Sequence, residues 1–316
     1  MNLARMGRAV GRLSGNRPEL ALRALFWASR PDSRYSLRVI DTHCHLTFPD
    51  FEGKVDQTLS DAAAEGVSGC ITISTTTLDC LDAMRIAESH ERVWYTAGVH
   101  PLYADVNDER AAGRAGAEHV WANLGRAAAR AKCVAWGELG LDNHYPKPSP
   151  EVQRRVLDEQ LAYIQSVNHD GPGGIGKREG LPIVIHCREA FDDLIPVLKG
   201  TSLRPERFVF HCFTGGLGDM RKLLDFGAWV SFTGVVTYPN AAEVREAAKL
   251  VPADRIMVET DAPFLPPVPF RGKRPCVPAY TAYTARALAE IRGEAFEGFH
   301  EQLNRNTCGF FGIDAS

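Results

Sequence analysis

What the 316-residue chain lacks narrows its class first. No apolar run approaches the roughly 18–20 residues that cross a bilayer, which speaks against a membrane span. No two cysteines form a Cys-x-x-Cys pair. The eight (Cys44, Cys70, Cys80, Cys133, Cys187, Cys212, Cys276 and Cys308) are scattered, and a chain of this length needs no disulfide staples. They read as reduced thiols of a cytoplasmic protein. Neither sign of charge dominates. The formal net charge of −3 gives no protein-wide field to draw in a polyanion, so any nucleic-acid contact has to come from a local patch. There is no internal repeat and no clear linker. The 45% hydrophobic and 24% charged content suits a globular chain with a full-sized core.

The first 38 residues stand apart. Arg5, Arg8, Arg12, Arg17, Arg23, Arg30, Arg34 and Arg38 face only Glu19 and Asp32. This reads as a disordered leader, as a start placed too far upstream with Met6 the second candidate, or as an Arg-rich organelle presequence. No compact apolar core follows it, against a secretory signal. We expect a leader over 1–38 and one domain over 39–316.

From Val39 onward short apolar runs alternate with helical patterns. The spacing predicts strands over Val39–Cys44, Cys70–Ser74, Val93–Val99, Cys133–Glu138, Leu181–Cys187, Phe208–Cys212, Trp229–Thr233 and Ile256–Thr260. Each is close to continuously apolar, as strands covered on both faces are. Helical faces include Val55/Leu59/Ala62 ending at Gly66, Leu78/Leu81/Ile86, and Met220/Leu223/Leu224 stopping at Gly227. A last long helix is expected over Ala279–Ile291. Eight strands with helical connections are the arithmetic of a single α/β barrel of TIM-like (β/α)8 type. The alternative, a doubly wound open sheet, would normally carry a Gly-rich phosphate loop after its first strand. That strand ends here in Asp41-Thr42-His43-Cys44-His45. Residues 168–177 are Gly-rich and read as a surface loop.

The chemistry sits at the predicted strand ends. His43 and His45 end the first, Glu138 the fourth, His186 the fifth and His211 the sixth, and Asp261 follows the eighth. In a barrel these ends converge on one C-terminal mouth, where enzymes of this fold keep their sites. Alternation lets His43 and His45 face the lumen together and sends Cys187 and Cys212 to the other face, as packing residues. A single His at a strand end is ordinarily a hydrogen-bonded core residue, but five independent strand ends carrying ligand-type side chains point to metal. Four imidazoles and two carboxylates suit zinc, manganese or magnesium, and they exceed what one catalytic zinc uses. Two divalent ions fit better, with His43, His45 and Asp261 on one, His186 and His211 on the other, and Glu138 bridging.

At this point the chain resembles the TatD-type metal-dependent deoxyribonucleases. The likeness runs from Val39 to the C-terminus through six ordered motifs: Asp41 to His45, Gly98-Val99-His100-Pro101, Gly137 to Asp142, Ile185 to Ala190, His211 to Gly215, and Glu259 to Leu265. The family's ligand positions fall on His43, His45, Glu138, His186, His211 and Asp261. The resemblance implies a barrel metallohydrolase with nuclease activity, often 3′-to-5′ exonucleolytic on single-stranded DNA. The chain departs from the pattern at Pro275-Cys276-Val277-Pro278, where the family usually continues Asn-Glu-Pro or similar.

Asp261 is the expected general base, and Glu138 sets the separation of the ions. His100 and Arg188 are expected to meet the substrate, Arg188 either clamping phosphate or pairing with Asp142. Arg271, Lys273 and Arg274 are expected to form a cationic rim for a phosphodiester backbone. Tyr238, Phe264 and Phe270 read as packing before base stacking. The expected substrate is DNA, single-stranded or at 3′ ends, with no obligate protein partner and no membrane. Two other readings compete with it. One is an amidohydrolase or lactonase acting on a small ester or amide, since fold does not fix substrate. The other is a binding protein with a relic site, which the retention of all six ligand positions opposes.

Overall fold

The computed structural model describes residues 38–105 and 120–314. Apart from Arg38, the leader over 1–38 lies outside the described residues. Eight strands run parallel in the order β1 to β8: Val39–Cys44, Val67–Thr72, Val93–Ala97, Cys133–Asp142, Ile183–Arg188, Phe208–Phe210, Trp229–Phe232 and Ile256–Val258. Beyond β8, Ala262 bridges to Cys44, and the amide of Asp261 donates to the His43 carbonyl at 2.8 Å, which brings the last strand's exit onto β1. The (β/α)8 barrel read from the sequence is therefore the fold. All residues of β1 and of β4 are buried, as strands roofed by helices on one face and filling a lumen on the other require.

The helices are α1 Val55–Ala64, α2 Asp79–Ser89, α3 Trp121–Ala128, α4 Pro150–Val167, α5 Phe191–Lys199, α6 Leu217–Phe226, α7 Ala242–Leu250, α8 Thr281–Arg292 and α9 Phe296–Phe311. Helix α6 stops where Gly227 turns left-handed at φ 92°, and α8 stops at Gly293 in the same way. Residues 168–177 form irregular structure, half of it exposed, with Ile175 buried. Among the described residues no helix is long and apolar enough to cross a membrane. The last helix is a correction. Gly293 ends α8, but the chain restarts into α9, whose Phe310 and Phe311 join a buried cluster with the strand residues Ile40, Val184 and Met257, with Trp94 and Trp229 alongside.

Strand limits differ where the site begins. β6 stops at Phe210 and β8 at Val258, two residues short of the expected ends, because the chain turns inward there. Cys212 has φ 48° and Asp261 φ 59°, left-handed values that leave the ladder. β4 does the opposite and continues past Glu138 to Asp142 through a register irregularity between Trp136 and Leu139. Glu138 therefore sits inside β4 and not at its end. The irregularity depends on glycine: Gly137 has φ 131°, and a Cβ there would lie 2.6 Å from the Val184 carbonyl oxygen.

Candidate metal centre

The six polar residues of the strand ends meet on the floor of the mouth. His43 Nε2 and His45 Nε2 are 3.3 Å apart, and Asp261 Oδ1 lies 3.6 and 3.3 Å from them. Across the floor, Glu138 Oε1 lies 2.7 Å from His186 Nδ1 and 2.5 Å from His211 Nε2, which are themselves 3.4 Å apart. Glu138 Oε2 turns the other way, 3.3 Å from His43 Nε2 and 4.0 Å from His45 Nε2. One carboxylate thus faces an imidazole group with each oxygen. His43, His45 and Asp261 form one set of donor atoms able to hold an ion, and His100, Glu138 and His186 form another. The second set includes His100, which the sequence placed with the substrate.

The donor chemistry suits a divalent ion. Glu138 Oε2 is buried with no hydrogen-bond partner, an expensive state for a carboxylate oxygen unless a cation meets it. Burial by itself would raise the Glu138 carboxyl, but the His211 charge, the imidazoles of His100 and His43 and the bond from His186 outweigh it and hold the group well below the usual carboxylate range. Asp261 behaves alike: burial pushes it up, and His45 and His43 pull it below its ordinary value. Both oxygen donors are therefore anionic at neutral pH.

Neighbouring groups aim the histidines. The Ile73 carbonyl can only accept, so His45 Nδ1 donates to it at 3.2 Å and leaves Nε2 free to ligate. Asp142 Oδ2 lies 3.0 Å from His186 Nε2, so His186 turns Nδ1 inward. Glu259 is fully buried, takes the Cys212 amide at 2.6 Å and the Ser231 hydroxyl at 2.6 Å, and lies 3.4 Å from His211 Nδ1. Asp41 binds the amide and hydroxyl of Thr260 at 2.9 and 2.6 Å, which pins the turn that carries Asp261. Burial raises the Asp41 carboxyl to about 7 despite those bonds. Asp41 and Glu259 lie inside the sequence motifs with no role expected of them, and Asp142 was expected only as a partner of Arg188. The signal was available for two: Asp41 and Glu259 each stand two residues before a candidate ligand, the same-face spacing that paired His43 with His45.

A cavity of about 1150 Å³ opens above this floor. His100 and Arg188 line it. The His100 Nδ1 accepts the Leu102 amide at 3.0 Å, and burial lowers the ring's pKa to about 3. The ring is therefore neutral, with its hydrogen on Nε2, 3.1 Å from His186 Nδ1. Asp142 is taken up by His186 and by the amides of His144 and Tyr145, and the Arg188 guanidinium instead rests over the Tyr145 ring at 5.1 Å.

Two expectations shift. Arg271, Lys273 and Arg274 are not among the lining residues: Arg271 covers Tyr238 at 4.2 Å, Lys273 covers Phe270 at 5.5 Å, and Arg274 is forked onto Asp50. Cys187 and Cys212, expected to face away, do line the cavity. Alternation fails for Cys212 because it follows the end of β6 in a left-handed turn, and for Cys187 because the cavity spreads over the rim to the starts of α5 and α6.

A family model described as TatD related DNase matches residues 40–312. The chain belongs to this family. An Escherichia coli K12 relative described as an uncharacterized metal-dependent hydrolase, YcfH, is 36% identical over 281 residues, covering 88% of this chain and 97% of the relative. A Klebsiella pneumoniae relative named 3′-5′ ssDNA/RNA exonuclease TatD is 31% identical, covering 88% of this chain and 99% of the relative. The crystal structure of the TatD homologue YJJV from E. coli K12 superposes with a TM-score of 0.74 at 31% identity, over 89% of this chain and 100% of that one. The TatD family chain described here is thus a metal-dependent hydrolase of the barrel type.

Proposed function

We propose that this TatD family member hydrolyses phosphodiester bonds with two divalent ions, as a deoxyribonuclease acting 3′ to 5′ on single-stranded ends in the cytoplasm. The observation that carries the reading is Glu138, whose two oxygens each face a separate imidazole group on one buried floor. His43, His45 and Asp261 would hold one ion, and His186, His211 and Glu138 the other, with Glu138 shared. Ions of zinc, manganese or magnesium bound there supply a water of lowered pKa and offset the charge of the phosphoryl oxygens. Asp261, which lines the cavity and stays anionic, accepts the proton of the attacking water on its carboxylate. His100 donates from Nε2 to a phosphoryl oxygen, and Arg188 closes on the same group. Arg271 and Lys273 serve as an outer rim that only a longer strand reaches. The relative named an exonuclease lends the substrate class, at 31% identity.

One observation favours a second reading, a small-molecule esterase or amidase. The cavity wall carries Glu189, Asp192, Asp193 and Asp219, and among the described residues Arg188 is the single Lys or Arg that lines it. Turnover of labelled single-stranded DNA against a panel of esters decides between them. The nuclease reading expects DNA cleavage that a chelator removes and that Glu138→Ala and Asp261→Ala reduce by about 100-fold or more in folded protein. Turnover of esters alone reverses the order.

A further inference from the structure

Among the described residues Phe48, Tyr103, Tyr145, Phe191 and Phe264 line the cavity, with Tyr145 lying under the Arg188 guanidinium, whereas Phe270 and Tyr238 do not line it. Phe270 is stacked on Tyr280, with centroids 4.0 Å apart and planes 2° from parallel. Tyr238 donates its hydroxyl to the Pro266 carbonyl at 3.1 Å, and Arg271 covers its ring. Phe264 is different. It lines the cavity three residues after Asp261, yet it is 37% exposed. Its open phenyl face leaves apolar area in water beside the carboxylates and imidazoles of the floor.

The ring is also held in place. The Arg274 guanidinium lies 5.0 Å from its centroid, and the same guanidinium is fixed by two 3.0 Å bonds to the Asp50 carboxylate. Phe48 meets Phe264 edge to face at 5.9 Å and stacks on His45 at 4.7 Å. The ring is thus tied to a candidate ligand on one side and to an ion pair on the other. Among the described residues, no aromatic ring stacks parallel to it.

We infer that Phe264 is the platform on which the nucleobase beside the scissile phosphodiester stacks, and that Asp50 and Arg274 position it. The inference rests on the nuclease reading and adds the means of binding. Among the described residues Arg188 is the single Lys or Arg that lines the cavity, beside Glu189, Asp192, Asp193 and Asp219, so a contact indifferent to charge would add to the affinity that the phosphate contacts supply. Stacking on an aromatic ring is such a contact, and it accepts every base because each has a π face.

The test uses the full chain, loaded with Mn²⁺, and two single-stranded oligodeoxynucleotides. One is natural. In the other, the terminal residue at each end is abasic (a tetrahydrofuran). The readout is the ratio of kcat/KM for the natural strand to that for the abasic one. Phe264→Ala is expected to lower the ratio about tenfold, mainly through KM, and Phe264→Trp to restore it. Arg274→Ala is expected to lower the same ratio about threefold. Equal losses on both strands in Phe264→Ala, or an unchanged ratio, overturn the platform. Equal losses in Arg274→Ala with a weaker salt dependence make Arg274 a phosphate contact and overturn its positioning role. A wild-type protein that cleaves neither strand but hydrolyses esters overturns the nuclease reading, and the inference with it.

Discussion

The floor and the rim of the mouth are built by opposite means. On the floor, groups from β1, β4, β5 and the exits of β6 and β8 meet because barrel topology brings those points together, and carboxylates or carbonyls behind them fix their rings. On the rim, Arg271, Lys273 and Arg274 follow one another in a single exposed loop, and each leans on an aromatic ring nearby. Topology dictates the first arrangement and local packing the second. Substitutions should therefore act on chemistry at the floor and on affinity at the rim.

The largest expected effect that sharpens this contrast lies behind the floor. Asp142→Asn and Glu259→Gln should each lower activity or metal affinity by about 10–100-fold, because His186 and His211 lose the groups that aim them. Steady-state kinetics over a metal titration would read this; wild-type rates in both variants would mean the carboxylates merely fill space. A smaller effect is expected on the rim. Arg271→Ala and Lys273→Ala should leave kcat nearly unchanged, raise KM for DNA by a few-fold, and flatten the salt dependence by about 0.7 per lost phosphate contact. A fall in kcat equal to that of the floor variants would erase the distinction.

The smallest effect is electrostatic. Arg274 hydrogen-bonds Asp50 and holds its carboxyl below the ordinary 3.8. A depressed folded value means the pair contributes above the unfolded pKa and is lost only as pH falls through the folded one. The contribution is small because Arg274 is exposed. An NMR titration should show Asp50 below 3.8 in the wild type and back towards it in Arg274→Ala. Identical midpoints would remove the ion pair from the account.

Much of the floor was legible because strand-borne positions obey two simple rules. Short apolar runs located the strands, β1 at its observed limits even though Asp41, Thr42 and His43 sit within it, and i, i+2 alternation paired His43 with His45. The same rules failed where the backbone leaves regular geometry. Glu138 lies inside β4 and not at its end, because an irregularity anchored by Gly137 redirects the strand. Cys212 was sent outward by an alternation that had already ended at Phe210. Helix α9 was missed because Gly293 looked terminal, although Phe296, Phe299, Leu303, Thr307 and Phe310 keep a helical spacing behind it. Rim contacts were illegible in principle. Whether a loop arginine faces a phosphate or a phenyl ring depends on packing that no spacing encodes.

The central claim, that six distant side chains meet to hold two ions, is tested most directly by counting metal on the purified chain after reconstitution and removal of free ion. The wild type should carry two divalent ions per chain, and Glu138→Ala, which removes the oxygens facing both groups, one or none. Less than one ion on the wild type, or two retained by Glu138→Ala, would contradict it.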